Sequence, residues 1–163
     1  MSSYEENGTL RILNSLCNVS LDKFNDRLIL QKLGYLAQSL GASGGFNFSW
    51  YLRGPYSPIL TKMLYKAEKS GVFKKKPNLY VDEKKIVKKL KKLLKNELDD
   101  PQKLELYASV WYLIPKQDVT QGDVKYIIDT IREEKPDYSI NEIKNTIETV
   151  LKFKTHEIVY SFS

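Results

Sequence analysis

The 163-residue sequence has one cysteine, Cys17, and one histidine, His156. A single thiol rules out an intrachain disulfide and a thiolate metal cluster, which fits a reducing cytosol. A single imidazole leaves any Ser–His–Asp or Cys–His arrangement only His156 to recruit, and an ordinary surface histidine explains that residue more simply. Paired carboxylates occur at Asp99-Asp100 and Glu133-Glu134, where they read as helix-end charges rather than a converging metal site. The sequence therefore points to no catalytic residue, no metal and no cofactor, and the expectation is of a protein that is not an enzyme. Chemistry by carboxylates alone or by tyrosine stays open, because convergence in space does not show in a sequence.

Long apolar runs are missing too. No stretch approaches the roughly 20 apolar residues that cross a bilayer, and Met1 to Gly8 is polar and acidic rather than basic and then apolar. The expected setting is soluble, unexported and cytoplasmic. Glycine is sparse, and its one cluster, Gly41-Ala42-Ser43-Gly44-Gly45, lacks the Gly-Lys-Ser/Thr that completes a nucleotide cradle. It reads as a flexible connection from a helix to a strand. No internal repeat, low-complexity linker or domain boundary is evident, and 163 residues with 42% hydrophobic content suffice for one core, so residues 1–163 are read as a compact single domain.

Lysine is abundant and unevenly placed. Residues 62–95 carry 13 lysines against Glu68, Asp82 and Glu83, so the rest of the chain is net acidic although the whole is +6. A basic segment of this kind attracts phosphates or an acidic protein. Lysine also suits the solvated face of any helix and is enriched, with glutamate, in heat-adapted proteomes.

The periodicity is mainly helical, with about seven helices and a small β element. Thr9 is placed to cap a first helix through Leu10, Leu13, Leu16 and Cys17, ending near Val19. A second runs from about Asn25 through Leu28, Leu33, Leu36 and Leu40 to Gly41. Ser57 and Pro58 open a third, with Ile59, Leu60, Met63, Leu64 and Ala67 inward, closing at Ser70-Gly71. Val72-Phe73 and Leu79-Tyr80-Val81 flank Lys74-Lys75-Lys76-Pro77-Asn78 and read as a small hairpin or an extended arm. A helix followed by a basic hairpin is the outline of a winged helix, which the first half of the chain has. Lys84 to Lys95 forms the next helix, with Ile86, Val87, Leu90, Leu93 and Leu94 inward. Asp100-Pro101 opens another, Thr120 with Asp123 a sixth, and Ser139 with Glu142 a seventh. The alternation of Ile158, Tyr160 and Phe162 reads as a short terminal strand within Thr155 to Ser163.

Between the second and third helices lies the most distinctive stretch. Phe46, Phe48, Trp50 and Leu52 alternate with Asn47, Ser49, Tyr51 and Arg53, the period-2 pattern of a strand with one buried face. Gly54-Pro55 then ends the strand, before Tyr56 and the Ser57 cap. Gln31, Lys32 and Tyr35 share a helix face and are expected beside Tyr51, Arg53 and Tyr56, with Gln31 bonding the backbone of the Gly54-Pro55 turn. Two roles fit this group. It braces a polar backbone corner, or it presents arginine and tyrosines to a partner.

Three segments carry a resemblance. Leu30-Gln31-Lys32-Leu33-Gly34-Tyr35-Leu36, Phe48-Ser49-Trp50-Tyr51-Leu52-Arg53-Gly54-Pro55-Tyr56-Ser57 and Leu104-Glu105-Leu106-Tyr107-Ala108-Ser109 resemble successive motifs of the YwgA-like family of uncharacterised prokaryotic proteins, and Lys135-Pro136-Asp137-Tyr138-Ser139 extends the match over most of the chain. The first two are also distantly similar to the Panacea domain, which occurs in antitoxins that neutralise diverse toxins. There a tyrosine usually stands where Arg53 precedes Gly54-Pro55, and a lysine where this chain has Leu30.

Two functions follow as expectations. The first is a non-enzymatic interaction or regulatory protein that binds a protein partner through Gln31, Lys32, Tyr35, Tyr51, Arg53, Gly54, Pro55, Tyr56 and Ser57. The resemblance implies that it is antitoxin-like. The second is a winged-helix-like nucleic-acid binder using Lys74, Lys75, Lys76, Lys84, Lys85, Lys88, Lys89 and Lys92 on phosphates. The oligomeric state is open, a homodimer included.

Overall fold

The start of the first helix is decided by Asn7, not Thr9. In a computed structural model, which describes residues 7–161 and their side chains as far as His156, α1 (Gly8–Leu16) begins where Asn7 Oδ1 accepts the Leu10 amide at 3.1 Å. Asparagine three residues ahead satisfies one of the orphan amides of the first turn. The Thr9 hydroxyl instead donates to the Ser43 carbonyl at 2.7 Å, and the Gly8 amide donates to Ser43 Oγ at 2.8 Å. The glycine-rich loop is thus tied to the N-terminus of α1. α1 ends at Leu16, before the expected Val19.

Among the described residues there are seven α-helices and one two-stranded antiparallel sheet. The chain divides into two units, Met1–Glu105 and Leu106–Ser163.

In the first unit α2 (Phe24–Ser39) is the hub, packing against α1, the second sheet strand, α3 and α4. Its Leu30, Leu33, Leu36 and Ala37 are buried. Each fully buried leucine contributes about 1.5–3 kcal/mol over leaving it in water. Gly34 sits where a Cβ would lie 2.8 Å from Leu60 Cδ2, so its missing side chain lets α2 and α3 approach closely. α3 (Pro58–Ser70) is capped by Ser57, whose Oγ accepts the Leu60 amide at 3.2 Å, and it closes on Gly71 in the left-handed region at φ 81°. Ile59, expected inward, is exposed on its first turn.

No hairpin forms at 72–81. A 3₁₀ turn (Val72–Lys74) leads into an extended arm, and Val81 already belongs to α4 (Val81–Leu94). The arm is held by helix ends instead of a partner strand. Asn14 Nδ2 donates to the Lys75 carbonyl at 3.0 Å, and Lys76 Nζ donates to the carbonyls of Asn14 at 2.7 Å and Cys17 at 2.9 Å. A lysine on the last carbonyls of α1 satisfies groups that the helix leaves open. The winged-helix outline is therefore not realised here.

α4 buries Ile86, Val87, Leu90, Leu93 and Leu94 as its periodicity requires. It is pinned to α1 by a two-point ion pair: Arg11 Nη2 to Glu83 Oε2 at 2.6 Å and Arg11 Nε to Glu83 Oε1 at 3.0 Å, with side chains only 9% and 5% exposed. The Tyr80 amide also donates to Glu83 Oε1, and the Tyr80 ring lies under the Arg11 guanidinium. α5 (Pro101–Leu113) starts where Asp100 Oδ1 accepts the amides of Gln102 and Lys103.

The second unit holds the remainder of α5 with α6 (Gln121–Glu134) and α7 (Ile140–Ser161). Its core is Leu106 and Val110 against Ile127 and Ile131 of α6 and Ile143 and Ile147 of α7. Thr120 and Asp123 form a reciprocal capping box, and Ser139 Oγ accepts the Glu142 amide at 3.0 Å. The expected terminal strand is absent, since α7 runs on through Ser161; Phe162 and Ser163 lie outside the described residues. A running helix gains one hydrogen bond per added residue, whereas a lone strand needs a partner.

Candidate functional site

The polar face of α2 grips the backbone of the aromatic segment at three points. Gln31 makes a two-way clamp on Ser57, its Nε2 donating to the Ser57 carbonyl at 2.8 Å and its Oε1 accepting the Ser57 amide at 3.0 Å. Gln38, two turns on, repeats this on Phe46 at 2.6 and 2.8 Å. Between them Lys32, fully buried, donates from Nζ to the Pro55 carbonyl at 2.6 Å. A buried ammonium costs several kcal/mol unless it is hydrogen-bonded, and the Pro55 carbonyl is among its partners. The Gly54-Pro55 corner expected to meet Gln31 thus belongs to Lys32, and Gln31 holds the residue two further on.

What lies between the clamps is a hairpin. β1 (Ser49–Tyr51) pairs antiparallel with β2 (Gly54–Tyr56) in the register Ser49↔Tyr56, Trp50↔Pro55, Tyr51↔Gly54. The chain turns at Leu52-Arg53, and the left-handed residue is Gly54, at φ 84°. Gly54-Pro55 is therefore the start of a return strand and not the break that ends one. Pro55 is tolerated because an edge strand need not donate there. Leu52, expected on the buried face, is 80% exposed at the hairpin tip. Tyr51 and Tyr56 meet edge to face across the strands, with ring centroids 5.4 Å apart.

This hairpin forms one wall of an open pocket of about 370 Å³. Phe24, Arg27 and Leu28 of α2 line it with Gln31 and Lys32, and Thr61 and Tyr65 of α3 close the other side. Tyr51, Leu52, Arg53 and Tyr56 supply the hairpin wall. Gln31 Nε2 and the Tyr56 hydroxyl both lie within hydrogen-bond distance of Thr61 Oγ1, at 2.8 and 3.2 Å. Arg53 lies over the Phe24 ring at 5.4 Å, and its Nη1 is 3.8 Å from Glu105 Oε2. Comparison with protein-family models, with curated proteins and with solved structures finds no match. The geometry of this pocket must carry the functional argument.

Of the residues singled out in the sequence, Gln31, Lys32, Tyr51, Arg53 and Tyr56 converge on the pocket, while Gly54, Pro55 and Ser57 form the clamped backbone behind it. Tyr35 does not join them; it packs edge to face on Phe48 at 5.2 Å. Phe24, Arg27, Thr61 and Tyr65 were not singled out. For Phe24 and Arg27 the signal was there, since 24, 27, 28 and 31 form one helical stripe; for Thr61 and Tyr65 it was not, because a one-turn spacing within α3 does not say what that face meets.

The lysines fall elsewhere. Lys84, Lys85, Lys88 and Lys92 are exposed on α4, Lys74 is exposed at the end of the 3₁₀ turn and Lys75 in the arm, Lys89 is half-buried, and Lys76 caps α1. No group of three or more His, Cys, Asp or Glu that could hold a metal ion occurs among the described residues, and no helix there is long and apolar enough to cross a membrane. Cys17 is deactivated: burial pushes its thiol up to about 11, against a smaller downward pull from Lys76. Iodoacetamide should therefore alkylate Cys17 in the native protein about a hundredfold more slowly, or worse, than in denaturant near pH 8. Equal rates by mass spectrometry would refute the shift.

Proposed function

We propose that the chain is a non-enzymatic interaction protein and that its α2–hairpin–α3 pocket receives an apolar side chain of a protein partner. One observation carries the reading. Four partly or largely exposed apolar side chains, Phe24, Tyr51, Leu52 and Tyr65, surround a concave pocket whose frame is fixed by buried clamps. Clustered exposed apolar groups mark interaction sites, and tyrosine and arginine carry much of the binding energy at interfaces. An antitoxin-like role, which the resemblance to Panacea domains implies, is one form such a protein takes.

The test is retention of a partner by the tagged full-length chain from its native cell. A defined protein held by the wild type should be lost in Leu52→Asp and Tyr65→Ala, variants at exposed positions that leave circular dichroism and melting temperature unchanged. It should survive Lys88→Glu with Lys92→Glu on α4. Loss through the lysine pair alone would move the interface to the basic face of α4 and refute the pocket.

A further inference from the structure

Resting on that reading, we infer that the partner segment is acidic: it places one aromatic or large aliphatic side chain in the pocket and sets flanking carboxylates on Arg27 and Arg53. The argument is charge complementarity within an apolar cleft. The lining contains three cations, Arg27, Lys32 and Arg53, and no carboxylate. Lys32 is committed below the surface to the Pro55 carbonyl. The two arginines are not committed in the same way. Both hydrogen bonds of Arg27 run through Nη1, to the carbonyls of Leu21 at 2.7 Å and Asp22 at 3.2 Å, which orients the guanidinium and leaves Nε and Nη2 for a ligand.

Arg53 is 61% exposed, and its approach to Glu105 at 3.8 Å is longer than a hydrogen bond. Its seat over the Phe24 ring fixes its direction without using its donors. Two oriented forks beside an apolar cavity match carboxylates, which arginine binds in two-point fashion. The cavity's size, about 370 Å³, lies within the ~300–1,000 Å³ typical of ligand pockets and is ample for one aromatic or large aliphatic side chain.

Single-stranded nucleic acid is the competing occupant, since aromatics and arginines also serve bases and phosphates. It fits less well. Base stacking needs an open ring face, whereas Arg53 covers Phe24, and Tyr51 and Tyr56 meet edge to face.

Amide chemical shifts of the full-length chain, followed on titration at low salt, decide the matter. Four probes are used: a blocked peptide with phenylalanine between glutamates, the same peptide with glutamines for glutamates, the acidic peptide with alanine for phenylalanine, and oligouridine. The acidic phenylalanine peptide should shift amides at 51–56 and bind about tenfold or more tightly than the other two peptides. Arg53→Gln should erase most of the preference for glutamate over glutamine, and Arg27→Lys should reduce it. A glutamine peptide that binds as well overturns the acidic partner while leaving the pocket reading intact. An alanine peptide that binds as well removes the anchor and with it the pocket reading. Oligouridine binding at 51–56 in preference to the peptides overturns the inference, as does the absence of any shift with millimolar peptide.

Discussion

Glu83→Gln is expected to lower the unfolding free energy by about 3–5 kcal/mol, because it leaves the buried Arg11 guanidinium facing a neutral amide. Against a total stability of roughly 5–15 kcal/mol this is a large fraction. The effect belongs to burial. The same exchange in an exposed pair such as Lys125–Asp129 would leave stability nearly unchanged, because water screens the two charges. Replacing both partners together, Arg11→Met with Glu83→Leu, should recover much of the loss, since two apolar groups leave no orphaned charge. Urea denaturation of Glu83→Gln gives the first loss, and Arg11→Met, Glu83→Leu and their double complete the cycle. A single-variant loss below about 1 kcal/mol would show that the pair holds nothing together.

The same pair sets an acid limit. Burial alone would push the Glu83 carboxyl up, but the Arg11 hydrogen bonds, the Tyr80 amide and the Arg11 charge together hold it below its ordinary value of 4.5. A carboxyl lowered in the folded chain binds its proton more readily when unfolded, so it stabilises the fold fully above that ordinary value. The contribution drains away as pH falls through the lower folded value. Stability curves of wild type and Glu83→Gln should accordingly be far apart at neutral pH and converge in acid.

Gln31→Leu is the second large effect, expected to cost about 2–5 kcal/mol. Leucine has nearly the shape of glutamine but neither its donor nor its acceptor, so the Ser57 amide loses its partner, the Ser57 carbonyl keeps only the long 3.4 Å bond from the Thr61 amide, and Thr61 Oγ1 loses a donor, at about 1–3 kcal/mol for each group left short. Gln31→Glu separates the two halves of the clamp: it keeps an acceptor for the Ser57 amide and turns an oxygen toward the Ser57 carbonyl and Thr61. It should fall between wild type and leucine at neutral pH. Thermal melts give the size, and amide exchange at 56–60 gives the place. Tolerance of Gln31→Leu within about 0.5 kcal/mol would mean the corner is satisfied some other way.

How much of this was legible before folding depends on whether the deciding interaction was local. Ser57-Pro58, Asp100-Pro101 and Thr120 with Asp123 act within one helical turn, and the sequence placed those starts correctly. Asn7 against Thr9 was decided by Ser43, 34 residues from Thr9, which takes the threonine hydroxyl. The arm at 72–81 had strand-like composition, yet Asn14 and Lys76 bind its backbone to the end of α1. Leu52 keeps the alternation of a strand but lies one residue past the end of β1, where the chain reverses into Gly54 at positive φ. In the site, spacing puts Gln31 and Lys32 on one helix face, and the motif resemblance joins that face to Tyr51, Arg53 and Tyr56. The other wall could not be read, because no periodicity within α3 says that Thr61 and Tyr65 will face a hairpin.

The three grips of α2 on this segment bear on when its freedom is lost. A two-stranded hairpin of three residues per strand is marginal by itself, so the side chains of a helix, not the strands' own ladder, keep it in shape. Its conformational entropy is surrendered when the chain folds and is not charged again when a ligand arrives. The frame of the pocket is held by these clamps, while Leu52, 80% exposed at the tip, keeps rotamer freedom with which to adapt. Encounter with a partner would then be followed by little backbone rearrangement, and differences in affinity among partners would appear chiefly in how long each one stays.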